Sequence, residues 1–205
     1  MNYAQPPFDP SAPFRNAAVT TPIDPSGHHP KVRVWFLVVA IVSGALYLIG
    51  AAGFGAAMAI DDRDVTPILA VSGFALLMLG ALLIYVKLGL GLYWLHQAWK
   101  WVPMEQRFDK KGKRLAPDGV FMLLIPYYNL YWMFVINLSL CDAMERMRLT
   151  ARTTQSVSRD TAMWACILEL VPFANFFVAP FFWASYMRQV DAMHEEITAV
   201  TATRA

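Results

Sequence analysis

The sequence predicts an all-α fold, a helical integral membrane protein, and three observations support this prediction. Hydrophobic residues make up 57% of the 205 residues and the mean hydropathy is +0.40, which exceeds the apolar share of an ordinary soluble domain. Four long apolar segments occur along the chain. Two of them also carry the same motif, Pro-x-x-Asn followed by aromatic residues, at an offset of 46 positions: Pro126 to Asn129 and Pro172 to Asn175.

The N-terminal segment, residues 1–30, is polar and rich in proline. It shows no apolar periodicity, and such a segment buries too little surface to offset the entropy of ordering it. We therefore expect a disordered Pro-rich tail.

Residues 31–102 are expected to form a transmembrane helical hairpin. The stretch 34–60 is apolar and uncharged, and at about 1.5 Å per residue it crosses a hydrocarbon core of about 30 Å. A second apolar stretch, 68–86, precedes Lys87. Small residues recur at four-residue spacing at Ala51, Gly55 and Ala59, which indicates either a close helix contact or simply an Ala-rich span.

The second helix of this hairpin is expected to outrun the bilayer. A helix over 66–101 would be about 54 Å long, so the part beyond Lys87 should lie at or past the interface. Aromatic residues favoured at interfaces follow Lys87: Tyr93, Trp94, Trp99 and Trp101.

The remaining chain divides into a basic cytoplasmic loop at 103–118, a membrane repeat unit at 119–150, a linker at 151–160, a second repeat unit at 161–197 and a tail at 198–205. Proline removes a helical donor and clashes with the preceding turn, so Pro126 and Pro172 predict a break in each repeat. The break is either a kink in a full span or a re-entrant turn.

The positions of lysine and arginine bear on these two alternatives. With four spans and the N-terminus inside, eleven Lys and Arg side chains lie inside and five outside, with Lys87 in the membrane. With two re-entrant repeats, fifteen lie inside and one outside. The length of 119–141 favours full spans and the charge distribution favours re-entry, so both alternatives stay open. In either case the N-terminus is cytoplasmic.

Two charged residues lie at possible membrane depth, Glu169 and Lys87, and ionisable groups there are costly and are functional candidates. Either the two side chains pair, or Glu169 is protonated, or it meets water at an interface. Asn129 and Asn175 either satisfy backbone groups freed by the prolines or line a polar path. Together these four residues form a possible polar membrane site.

Other polar and sulfur-containing residues are expected to have structural roles. Asn137 and Ser139 occupy positions suited to hydrogen bonds between helices. Asp191 and His194 lie in a polar helical end, where we expect solvated side chains and no metal. Two cysteines in apolar segments are expected to be free. No nucleotide-binding or hydrolase motif occurs, so we expect no enzyme, no catalytic residue and no cofactor.

The segments Ile125-Pro-Tyr-Tyr-Asn-Leu-Tyr-Trp and Val171-Pro-Phe-Ala-Asn resemble those of a broad group of uncharacterised bacterial multi-pass membrane proteins. These proteins have paired I-P-[FY]-x-N-[LF]-[YF] segments and four apolar helices. The resemblance covers about residues 34–197 and implies the bacterial inner membrane, but it carries no catalytic residues.

The predicted function is a scaffold or accessory interaction subunit, with the lipid bilayer and a protein partner or a second copy as its partners. A channel or transporter for a small solute is one alternative, and a lipid-binding or membrane-shaping protein is another. The formal net charge of +2 is too small to indicate nucleic-acid binding.

Overall fold

The structure, a computed structural model, describes residues 31–60, 64–109 and 112–204, and most of these residues are helical. The Pro-rich tail predicted at 1–30 lies outside these residues. Six α-helices follow one another, and no β-strand occurs among the described residues. Their bounds are α1 Lys31–Ala59, α2 Val65–Trp101, α3 Tyr128–Ala151, α4 Arg159–Leu170, α5 Ala174–Phe177 and α6 Ala179–Arg204.

Helices α1 and α2 form an antiparallel hairpin whose backbones touch. A Cβ atom built on Gly73 would lie 2.6 Å from the Phe54 nitrogen and 2.9 Å from the Gly50 oxygen. Further along, Gly80 packs against Tyr47. Only glycine permits this approach, because the atoms it meets at Gly73 belong to the partner backbone. Of the small residues predicted to mediate a contact, Gly55 instead faces open space.

Both hairpin helices are long and apolar enough to cross a membrane. The stretches Val32–Ala59 and Val65–Trp101 have mean hydropathies of 2.3 and 2.4. Only 11% of the most apolar window of α2 is buried. A core helix of a soluble protein would bury more of that window, so α2 presents a largely exposed apolar surface.

The two Pro-x-x-Asn motifs form matching turns, and each interrupts the helical structure as predicted. Tyr127 has φ 61° and ψ −39°, and Phe173 has φ 64° and ψ −41°. The amide after each aromatic residue donates to the proline oxygen, at 2.7 Å for Pro126 and 2.8 Å for Pro172. These are γ-turns of the strained, positive-φ form. The repeated motif therefore produces the same unusual backbone twice.

Each turn is the tip of a hairpin, although the arms of the two hairpins differ. The first pairs a 3-10 helix, Pro117–Leu124, with α3, whereas the second pairs α4 with α5 and α6. Both tips are exposed, with Tyr127 at 88% and Phe173 at 76% of their full accessibility.

Polar contacts gather the chain ends of both hairpins at one end of the molecule. Asp191 of α6 lies 3.5 Å from Arg33 at the start of α1 and accepts a hydrogen bond of 3.0 Å from Trp94 near the end of α2. The linker joins this end because the backbone amide of Thr154 donates to Glu196 at 2.9 Å. The linker between the hairpins and the return of the second hairpin therefore lie at the end of the molecule where α1 starts.

The second half of α2 enters a helical base formed with α3 and α6. Trp99 is fully buried, and Trp94 and Trp101 are 5% and 7% exposed. These three tryptophans, expected at or past the interface, pack into a protein core, where Trp94 meets Tyr186 edge to face at 5.6 Å. Tyr93 alone of the group is exposed.

Helix α6 continues through the segment expected to be a tail. It reaches Arg204, and no helix end falls at residue 197. Ile197 is buried, which ties this part of the helix to the base. Two hydroxyls also bond to the preceding helical turn, from Thr198 to the His194 oxygen and from Thr201 to the Ile197 oxygen. Burial and regular helix geometry therefore extend past the predicted boundary.

Candidate functional site

An ion pair joins the two charged residues that the sequence places at possible membrane depth. Lys87 Nζ lies 2.8 Å from Glu169 Oε1, and the residues are 82 positions apart in the chain. The Lys87 side chain is 9% exposed and the Glu169 side chain 27%. Of the three alternatives considered for Glu169, the structure shows the ion pair with Lys87. Trp183 Nε1 donates to the other carboxylate oxygen at 3.2 Å.

Helix geometry explains how this pair forms. Lys87 lies on the α2 face that carries the buried glycines, at a spacing of seven residues from Gly80. Glu169 is one residue before the end of α4, where the helix stops ahead of Pro172. The second hairpin thus places the Glu169 carboxylate beside the buried Lys87 ammonium of α2, which needs an anionic partner.

A cavity of about 310 Å³ adjoins the ion pair. Most of its lining is apolar and comes from α2, α3 and the two hairpins. Its polar lining consists of Lys87, Glu169, Asn129 and Asn137. Leucines at its edge are 41–47% exposed, so the cavity communicates with the apolar surface of the molecule: Leu88, Leu130 and Leu170.

Of the four residues predicted to form a polar membrane site, the structure brings together three. Lys87, Glu169 and Asn129 line the cavity, whereas Asn175 does not. Asn175 Oδ1 is buried and accepts no hydrogen bond from the described residues, so this oxygen does not have the expected role of satisfying backbone groups near Pro172.

Asn137 is the site residue that sequence reasoning assigned to a different role. It was expected to bond between helices, but its Nδ2 donates to the Met133 oxygen in its own helix at 2.9 Å. The side chain is fully buried and lines the cavity, and its Oδ1 has no partner among the described residues. Spacing could not reveal this, because position 137 faces the cavity only once both hairpins are packed.

The polar end of the molecule is more buried than expected. Asp191 is 5% exposed and His194 6%, so the prediction that these side chains are solvated is wrong. Packing in the base buries both side chains. Asp191 accepts a hydrogen bond from Trp94 and lies 3.5 Å from Arg33, and the His194 ring packs edge-on against Trp101 at a centroid distance of 4.1 Å. These contacts tie α6 to both helices of the α1–α2 hairpin.

Two carboxylates at this end have altered acidity. Backbone amides of Thr154 and Gln155 donate to Glu196 and lower the pKa of its carboxyl group. The guanidinium of Arg148 lowers the pKa of Glu145 through hydrogen bonds of 2.7 Å. In its ionised form, Glu196 holds the linker, and ionised Glu145 holds Arg148 at the end of α3. They fasten the base and do not line the cavity beside the ion pair.

The cavity has the character of a binding site. Its lining contains an internally neutralised ion pair, two side-chain amides and an apolar wall. The two cysteines, Cys141 and Cys166, are free and buried. Comparisons of the chain with protein-family models, curated proteins and solved structures gave no match. The resemblance to paired-motif bacterial membrane proteins stays a prediction, and function must be argued from the geometry.

Proposed function

We propose that this protein is an integral membrane protein that inserts unequally into the two leaflets, binds lipid and shapes the bilayer. Helices α1 and α2 cross the membrane, and the two Pro-x-x-Asn hairpins enter from the cytoplasmic side and return to it. The observation that carries this proposal is the position of the second hairpin tip. The Phe176 ring lies 4.9 Å from Tyr47, near the middle of α1.

Depth along α1 supports re-entry. Counted back from Ile60 at about 1.5 Å per residue, a hydrocarbon core of about 30 Å ends near Ala40. The backbone of Phe176 meets α1 at Gly44, where a Cβ atom would lie 3.3 Å from its oxygen. This part of the hairpin, three residues after the turn at Phe173, therefore lies about 6–10 Å inside the core, less than half of its thickness.

The depth of the ion pair fits the same placement. Lys87 lies between Gly80, which faces Tyr47, and Gly91, which faces Phe36. This range of α1 contains the inner edge of the hydrocarbon core. A lysine there needs a partner or an exit to the headgroups, and Glu169 supplies the partner. Re-entry also leaves fifteen basic side chains on the inner side and one on the outer side.

The consequence is a molecule that is wider in one leaflet. The outer half of the bilayer would contain α1 and α2 alone, and the inner half would also contain both hairpin tips. Exposed aromatics at the tips, Tyr127 and Phe173, would displace acyl chains of the cytoplasmic leaflet. Expanding one leaflet bends a membrane, so we expect curvature that is convex toward the cytoplasm.

The same geometry weighs against a conduit through one chain. Two helices in direct backbone contact, as at Gly50 and Gly73, enclose no path through the outer half of the bilayer. The scaffold or accessory-subunit role that the sequence predicts is compatible with unequal insertion and stays a prediction, as does location in the bacterial inner membrane.

Sidedness tests the insertion. In a Cys141→Ala/Cys166→Ala background, Ser156→Cys places a thiol in the exposed linker, and Asp64→Cys places one before α2 as the matched outer control. We expect an impermeant maleimide outside intact cells to label position 64 only, and position 156 after the membrane is opened. Labelling of position 156 from outside would establish four spans and end the proposal.

Vesicle shape tests the activity itself. Reconstitution at rising protein-to-lipid ratio should yield smaller vesicles or tubules, and Tyr127→Ser/Phe173→Ser should weaken the effect because it removes the exposed tip aromatics. An unchanged size distribution at high protein load would contradict membrane shaping even if position 156 is cytoplasmic.

A further inference from the structure

The cavity beside the ion pair has the features of a ligand site that the proposed bilayer shaping does not use. Its volume of about 310 Å³ lies at the small end of the range of ligand pockets. Its edge is formed by half-exposed leucines, so an apolar molecule can reach it from surrounding lipid: Leu88, Leu130 and Leu170.

The charged groups of the cavity are already compensated. Glu169 binds Lys87 through one oxygen at 2.8 Å and accepts from Trp183 through the other at 3.2 Å. An anionic ligand would compete with Glu169 for the ammonium, and a cationic one would compete with Lys87 for the carboxylate. Either would leave a charge without its partner in a largely apolar site, which is strongly unfavourable. The cavity therefore favours an uncharged ligand.

One polar side chain that lines the cavity, Asn137, carries an atom without a hydrogen-bond partner among the described residues. Asn137 is fully buried, and its Nδ2 already donates to the Met133 oxygen. Its Oδ1 has no hydrogen-bond partner among the described residues. A buried acceptor without a donor is unfavourable, because it has given up its hydrogen bonds to water and gained none in return. The complementary ligand group is a donor, and an uncharged amphiphile supplies one most simply as a hydroxyl.

We propose that this cavity binds an uncharged, hydroxyl-bearing amphiphile of the lipid-alcohol class. The hydroxyl donates to Asn137 Oδ1, and the chain lies along the apolar wall toward Leu130 at the edge. The oxygen of the same hydroxyl is free to accept from a donor of the site. A hydrocarbon lacks the donor and a fatty acid brings an uncompensated charge, so both bind less well.

A photoreactive alcohol tests the proposal. The full-length protein in phosphatidylcholine nanodiscs is irradiated with an octanol that carries a diazirine on its chain, and adducts are mapped by mass spectrometry. We expect adducts in the segment 129–137, which unlabelled octanol suppresses and which octane and octanoate at equal concentration leave in place. Equal suppression by octane would show an apolar cleft without hydroxyl recognition, and stronger suppression by octanoate would show an anion site. Either result overturns the proposal.

Matched asparagine variants locate the contact. Asn137→Leu removes the acceptor and should weaken octanol competition about 3–10-fold, the worth of one neutral hydrogen bond. Asn175→Leu is the control, because Asn175 Oδ1 is also buried and without a partner but lies outside the cavity. Similar competition in the Asn137 variant and the native chain would contradict the assignment.

A second variant keeps the test decisive if Asn137→Leu does not fold. Leu130→Trp enlarges a half-exposed residue at the cavity edge, so it can fill the entrance without disturbing the core. It should abolish labelling of the segment 129–137 while the protein elutes as the native chain does. Persistent labelling there would show that the alcohol binds elsewhere.

Discussion

The backbone contact between α1 and α2 makes Gly73→Ala a sharp perturbation. The added methyl group would lie 2.6 Å from the Phe54 nitrogen, 2.9 Å from the Gly50 oxygen and 3.1 Å from the Gly53 carbonyl carbon. All three atoms belong to the backbone, so no side-chain rotation relieves the overlap. The two helices must separate.

The expected cost follows from two opposing terms. Overpacking costs about 1–3 kcal/mol, and replacing a helical glycine by alanine returns up to about 1 kcal/mol. Gly73→Ala should therefore lower the free energy of unfolding by about 1–2 kcal/mol. Gly55→Ala is the matched control, because nothing lies within 4 Å of a Cβ atom there. It should be neutral or raise stability by up to about 1 kcal/mol.

Both variants can be measured by SDS titration in mixed micelles, followed by circular dichroism. Spin labels at Met58 and Ile68, which are 76% and 69% exposed, would report the separation of the helices near their connection. We expect a longer and broader distance distribution for Gly73→Ala alone. Equal effects of the two substitutions, or a Gly73 variant as stable as the native chain, would refute the close-contact argument.

Three other predictions concern the ion pair, the turns and the linker. Lys87→Met should lower the free energy of unfolding by about 3 kcal/mol, because Glu169 is left without its cation. In the same SDS titration, Lys87→Met/Glu169→Leu should recover most of that loss. A double variant no more stable than the single one would contradict this. Phe173→Gly should raise stability in detergent by about 1 kcal/mol because glycine accepts positive φ, and a loss would argue against backbone strain. Glu196 has a lowered pKa in the folded protein, so its contribution is present above the ordinary value of 4.5 and is lost as pH falls through the folded value. The protection of the Thr154 amide, measured as its exchange rate relative to the intrinsic rate at the same pH, should fall on acidification in the native chain and depend less on pH after Glu196→Gln.

The sequence predicted the helical class and the long apolar hairpin because both depend on composition and segment length. It also predicted the breaks at Pro126 and Pro172, since proline acts locally on the backbone. The offset of 46 positions marks equivalent turns, and their geometry agrees closely. These features need no knowledge of how distant segments pack.

Features that depend on packing between distant segments could not be predicted in the same way. Trp99 looks interfacial in sequence, but α3 and α6 bury it in the base. Asn137 looks like a residue that bonds between helices, but it lines a cavity that forms only when both hairpins are in place, and its Oδ1 has no partner among the described residues. The pairing of Lys87 with Glu169 could be considered only because few charges lie within the apolar segments.

The unbroken length of α2 gives the molecule a mechanical property. Its 37 residues form a rod of about 56 Å, and the far end is clamped by buried tryptophans of the base. No proline interrupts it after Pro67, and no hinge separates the apolar half from the base half. A tilt of about 10°, well within the range by which helices adjust to bilayer thickness, would swing the far end by about 10 Å. If α2 spans the bilayer as we propose, a change in membrane thickness would move the base sideways, because the base is fixed to the far end of this rod.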